Sequence, residues 1–168
     1  MATGVRAALQ EFFGEKIFRD QVTFKKGTIV NFMGGYEEGK WYPYTPTLTG
    51  FGTPTSVSFF WKREGGSLHG MGKVTSGTST GVEAQATLPL SLTSDATLVP
   101  NIRVCGVGVL DFATAVSVYC LIESGVGYIT FGLQSATRSS LVKVTGSTLI
   151  SAGNIIAVQF ELPVSGWN

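Results

Sequence analysis

The chain has 168 residues, a formal net charge of +1, two cysteines and one histidine, a length that suits one domain with an appended arm and encloses a real hydrophobic core. Gly (22), Thr (19) and Ser (15) make up a third of it while charged residues are only 14%, a balance that disfavours helical bundles and favours short strands joined by many turns. The 43% hydrophobic content with near-zero net charge argues against a disordered chain and supplies no bulk electrostatic drive toward nucleic acid or anionic lipid.

Met1 to Leu9 contain Arg6 but no apolar stretch of signal-peptide length. Nowhere do about 18 apolar residues run uninterrupted, as a membrane-spanning helix requires. Cys105 and Cys120 are one possible pair, too few for a disulfide framework, and are expected to be free thiols behaving as small hydrophobes. Synthesis in a reducing cytosol is the expectation.

Charge is concentrated at the front: residues 1–40 carry 11 of the 23 charges. This break predicts a polar N-terminal arm over 1–40 and a more neutral body over 41–168, with the boundary in Met33-Gly34-Gly35-Tyr36-Glu37-Glu38-Gly39-Lys40, where three glycines loosen the backbone. In the arm, Thr3 is a helix cap, and Val5, Leu9, Phe12, Phe13 and Ile17 form one apolar stripe of a helix over about residues 4–19. Arg6, Glu11, Glu15, Lys16 and Arg19 occupy other faces, with Glu15 and Arg19 a favourable i,i+4 pair. A helix this short is marginal alone, so its stripe docks either on its own body or on a partner. Gln21–Phe24 and Gly27–Phe32 then read as extended segments about a kink at Lys25-Lys26-Gly27.

The body reads as a succession of strands. Val57–Arg63 and Ser67–Val74 flank a hairpin-like turn at Glu64-Gly65-Gly66. Val82, Ala84, Ala86 and Leu88 alternate with polar residues in a half-buried strand ended by Pro89. Further strands are expected over 102–110, 115–123, 127–133, 141–145 and 155–162; in the last, Ile156, Val158, Phe160 and Leu162 face one way. About eight strands at this spacing predict an all-β protein, a jelly-roll-like antiparallel β-sandwich body behind the helix-bearing arm. Val104, Val107, Val109, Val116, Val118 and Tyr119 sit in strands almost free of charge, which predicts surface buried between copies in a homo-oligomer.

Catalytic chemistry is sparse. His69 lies in a strand beside Gly70 with no Gly-x-Ser-x-Gly elbow, and reads as an ordinary surface or edge residue. One His and two Cys at separations of 36 and 15 residues fit no zinc pattern, and no Asp-x-Asp-type calcium loop occurs. Gly50-Phe51-Gly52 and Gly70-Met71-Gly72 lack the third glycine and the lysine of a phosphate loop; turns and close strand packing explain them better. Lys62 and Arg63 beside Phe59-Phe60-Trp61 have no second basic cluster to support nucleic-acid stacking. Trp41, Tyr42 and Tyr44 are either a platform for a sugar ring or a packed or intersubunit surface. The reading is a non-enzymatic protein with no cofactor and no metal.

Trp41-Tyr42-Pro43-Tyr44-Thr45-Pro46-Thr47-Leu48-Thr49-Gly50 resembles the W-x-P-x-L-x-G opening of a β-domain found in tailed-bacteriophage virion proteins. Phe60-Trp61-Lys62-Arg63-Glu64-Gly65-Gly66, Leu88-Pro89 and Leu162-Pro163-Val164-Ser165-Gly166-Trp167 are similar to its later elements, the last to a P-V-x-G-W ending. The match runs over residues 41–168. The resemblance implies a jelly-roll-like, commonly trimeric domain on the outside of the phage particle. Such domains lie either on the capsid as decoration or cement protein or on a tail fibre recognising a host glycan or protein. A short charged arm in place of a long repetitive shaft favours the capsid cement. The expected partners are the major capsid protein and further copies of the chain, with no nucleic acid and no membrane. On that reading Val5, Leu9, Phe12, Phe13 and Ile17 anchor on the shell or a neighbouring copy, and Arg6, Lys16 and Arg19 add polar rim contacts.

Overall fold

A computed structural model describes residues 36–111, 115–134 and 141–167. The arm helix expected over residues 4–19, with Val5, Arg6, Leu9, Phe12, Phe13, Lys16, Ile17 and Arg19, lies outside the described residues. The chain divides between Glu38 and Gly39, and the unit that starts at Gly39 is an all-β body.

Its described strands are β1 (Tyr42–Tyr44), β2 (Leu48–Thr49), β3 (Thr55–Glu64), β4 (Ser67–Thr75), β5 (Gln85–Thr87), β6 (Arg103–Asp111), β7 (Val116–Ile122), β8 (Tyr128–Gln134), β9 (Leu141–Lys143) and β10 (Ile155–Pro163). All pair antiparallel in one sheet of order β1-β3-β4-β10-β6-β7-β8-β5-β2, with β9 beside β8. β1 and β2 are the two ends of that order, yet only Thr45, Pro46 and Thr47 separate them in the chain. So short a link spans at most ~14 Å, which obliges the sheet to curl until its edges approach. The expected sandwich is realised as this single curled sheet, filled by the side chains of its inner face.

The long strands follow the alternation of their sequence. β10 sits near the middle of the sheet, and its Ile156, Val158, Phe160 and Leu162 are all buried while Ala157, Gln159 and Glu161 are exposed. Burying each of the four contributes about 1.5–3 kcal/mol before ordering costs. The β3–β4 hairpin turns through Gly65-Gly66, with Glu64 opposite Ser67. The half-buried strand expected over 82–88 is shorter: Ala84, Ala86 and Leu88 are buried, but Val82 is exposed and regular pairing covers only β5. A bridge from Glu83 to Thr145 continues the contact upstream. There Lys143 Nζ lies 3.0 Å from Glu83 and 2.6 Å from Glu123, and donating to the Glu123 and Glu83 carboxylates holds its ammonium above the ordinary lysine range.

The glycine pairs answer a packing need. Gly70 and Gly106 both lie opposite Phe160, and Gly72 and Gly108 both lie opposite Val158. A Cβ on Gly70 would lie 2.1 Å from the Phe160 ring, one on Gly72 2.1 Å from the Phe59 ring, and one on Gly106 2.1 Å from the Gln159 carbonyl oxygen. The large rings of the inner face therefore lie flat across strands that have surrendered their side chains. Gly52, at φ +66°, is pressed against the Thr78 backbone, a conformation and a proximity that only glycine accepts. Close packing, and not phosphate binding, accounts for both Gly-x-Gly pieces.

Two of the segments quoted for their family resemblance meet in space. Trp61 and Trp167 have ring centroids 6.3 Å apart. Arg63 lies over the Trp167 ring at 4.9 Å and its Nη2 donates to the Trp167 carbonyl at 3.2 Å. The hairpin and the final turn thus close one end of the core together. A single helical turn, Gly146–Leu149, is capped by Thr145, whose hydroxyl accepts from Thr148 N. Four residues are too few for a helical period to show in sequence.

Candidate functional site

The outer face of the sheet can be laid out row by row from the strand register. Lys62, His69 and Glu161 stand side by side on β3, β4 and β10. The next outward row is Pro43, Phe60, Met71, Gln159, Val107 and Tyr119, and the one beyond it Ser58, Lys73, Ala157, Val109 and Ser117. Across these last two rows Lys73 carries the only formal charge. Val107 and Val109 are 47% and 48% exposed, and Phe60, Met71 and Val104 are exposed on the same face. A sheet of a lone domain alternates apolar-in and polar-out; this one is apolar on both faces of β6. Val118 departs from the expectation, being completely buried, because the alternation of β7 turns it to the inner face.

The first row has a different character. Lys62 Nζ donates to Glu64 at 2.5 Å, and that hydrogen bond, with lesser help from the Lys62 and His69 charges, holds the Glu64 carboxyl below the ordinary range. His69 Nε2 is 3.1 Å from Glu64 and 3.6 Å from Glu161. Lys62 Nζ also sits 5.2 Å from the centre of the Trp41 ring, a cation–π distance. Between this row and Met71, Gln159 and Val107 runs a groove of about 400 Å³ with the Trp41 indole at its lip.

Of the three aromatics singled out in sequence, only Trp41 reaches this face. Tyr42 and Tyr44 pair with Trp61 and Phe59 and pack against their rings at 5.7 and 5.8 Å. The Tyr44 hydroxyl is buried without a hydrogen-bond partner, and burial pushes its pKa well above the usual tyrosine value. These two tyrosines serve the packed surface, not an exposed platform. Gln159, Glu161 and Met71 were not singled out, although the alternation of β10 already marked Gln159 and Glu161 as outward.

His69 and the carboxylate of Asp111 do not come together. Asp111 lies opposite Ile155 and His69 opposite Glu161, six positions apart along β10, or roughly 20 Å. Cys105 and Cys120 are free thiols on adjacent strands, with Cys105 Sγ 3.4 Å from the Cys120 carbonyl oxygen. Burial pushes the Cys105 thiol up to about 12 and the Cys120 thiol well above its ordinary value, so both stay protonated and weakly nucleophilic. Among the described residues no group of three or more His, Cys, Asp or Glu is arranged to hold a metal ion, and no helix is long and apolar enough to cross a membrane.

Comparison with known proteins finds no matching family model, no matching curated protein and no matching solved structure.

Proposed function

We infer that the chain is a non-enzymatic structural protein of a tailed-phage virion. In this reading it is a capsid decoration or cement protein that associates as a homotrimer, binds the outer surface of the head and bridges neighbouring subunits of the major capsid protein. The observation that carries the reading is the outer face of β4, β10, β6 and β7. Four neighbouring strands of seven to nine residues carry adjoining rows, Met71, Gln159, Val107 and Tyr119 and then Lys73, Ala157, Val109 and Ser117, in which Lys73 is the one formal charge. These rows are poor in charge where a solvated sheet face is polar, which favours a second protein surface over water, and neighbouring copies around a three-fold axis supply that surface. The scattered positions of His69 and Asp111 and the protonated thiols support a role without catalysis.

A protein of this kind acts by adding interfaces to the assembled shell. Because it binds the shell and not dissociated subunits, it stabilises the particle by mass action. The arm residues Val5, Leu9, Phe12, Phe13 and Ile17 supply the anchor in this reading, flanked by Arg6, Lys16 and Arg19. Gel densitometry of purified virions tests it. A cement is present in hundreds of copies per particle, and deletion of residues 1–20 leaves a folded oligomer that no longer decorates heads. A few dozen copies would instead place the domain on a tail fibre, and full decoration by the truncated protein would remove the arm from the account.

A further inference from the structure

We propose that the groove beside Trp41 binds a neutral saccharide, with one pyranose face stacked on the Trp41 indole and its hydroxyls held by Glu161 and Gln159. The proposal does not depend on whether the domain sits on a head or a tail. Trp61 and Trp167 are buried, whereas Trp41 is 39% exposed at the edge of the sheet. An exposed indole gains from covering its apolar face with a ligand that is itself apolar on one side and polar at its rim. Lys62 props the ring from 5.2 Å, which restricts its orientation before any ligand arrives and lowers the ordering cost of binding.

The polar groups of the groove match such a ligand. Glu161 is 59% exposed and only one of its oxygens faces His69, leaving acceptor capacity toward the groove. Gln159 stands two residues earlier on the same face of β10, ~7 Å away along the strand, and offers both a donor and an acceptor. Met71 and Val107 flank Gln159 on the neighbouring strands and add apolar surface to the groove. The volume of about 400 Å³ falls within the ~300–1,000 Å³ of small-ligand sites.

Charge selects the class of sugar. Lys62 is engaged by Glu64, and Glu161 adds a second carboxylate on the other side of His69. The row and its turn carry two carboxylates, Glu64 and Glu161, against the one ammonium of Lys62, a balance that disfavours phosphates, nucleic acid and acidic sugars. The same charged row is expensive to bury against another subunit. It therefore stays open to ligand together with the groove it shares with Met71, Gln159 and Val107, while the row of Ala157 and Val109 beyond meets the neighbouring copy.

The test is a titration of the full-length protein with neutral hexose and N-acetylhexosamine tetrasaccharides, monitored by the indole N–H signals and tryptophan fluorescence, with sialyllactose as the acidic comparison. At least one neutral probe is expected to bind with a dissociation constant of about 1 mM, shifting the Trp41 indole and leaving Trp61 and Trp167 unmoved. Trp41→Ala is expected to weaken binding at least about tenfold and Glu161→Gln about threefold, while Trp41→Phe retains most of it. Unchanged melting temperatures establish that these variants fold. No response from the Trp41 indole to any neutral probe at about 20 mM, equal binding by Trp41→Ala, or preference for sialyllactose overturns the proposal.

Discussion

Thr130 sits in the middle of β8 with 1% of its surface exposed and its hydroxyl without a hydrogen-bond partner. A buried hydroxyl left unmade costs about 1–3 kcal/mol relative to one that is satisfied, and valine fills nearly the same volume without it. Thr130→Val is expected to raise the unfolding free energy by about 1 kcal/mol, read from urea denaturation midpoints at unchanged m-value. A loss of stability would mean the hydroxyl is satisfied by water. Single-residue readings from sequence did best where strand alternation settles the side. Glu161 against Leu162 is plain from the pattern. For Trp41, Tyr42, Pro43 and Tyr44 every residue is aromatic or proline, so the sequence does not say which aromatics face out; pairing with Trp61 and Phe59 decides it.

At the level of elements, β3, β4, β6, β7, β8 and β10 were legible because each carries seven to ten residues of β-branched or alternating character. β1 and β2 have three and two residues and owe their existence to closure of the sheet, which no local pattern encodes. The Gly-x-Gly piece of β4 was legible as a packing device in kind but not in detail, since its partners Phe160 and Phe59 come from other strands, and the one in β6 has its obstacles on β10. That detail separates two substitutions. At Gly70 the obstacle is the outer tip of a ring, which is able to swing; at Gly106 it is the neighbouring backbone. Gly70→Ala is expected to cost about 1–3 kcal/mol and Gly106→Ala distinctly more. Equal denaturation midpoints for the two would contradict this packing of β10.

On the scale of the whole molecule, composition sufficed for the all-β class, and the charge-poor strands sufficed to point at an apolar outer face. The sequence did not show that one sheet would curl until Thr45, Pro46 and Thr47 joined its two edges, because strand order is a long-range property. Nor did it show that the outer face would divide into a groove between two rows at the Trp41 side and the charge-poor row of Ala157 and Val109 beyond. This division comes from the register of β4, β10 and β6, in which Lys62, His69 and Glu161 align in one row and Met71, Gln159 and Val107 in the next.

The central claim is that the charge-poor row of Ala157 and Val109 exists to meet another copy of the chain. Sedimentation velocity of the full-length protein tests it most directly, beside a Val109→Lys, Ala157→Lys double variant whose melting transition is intact. The account predicts a species of three times the 17.8 kDa chain mass for the native protein and a monomer for the variant. A native protein that sediments as a monomer, or a variant that keeps the oligomer, would contradict it.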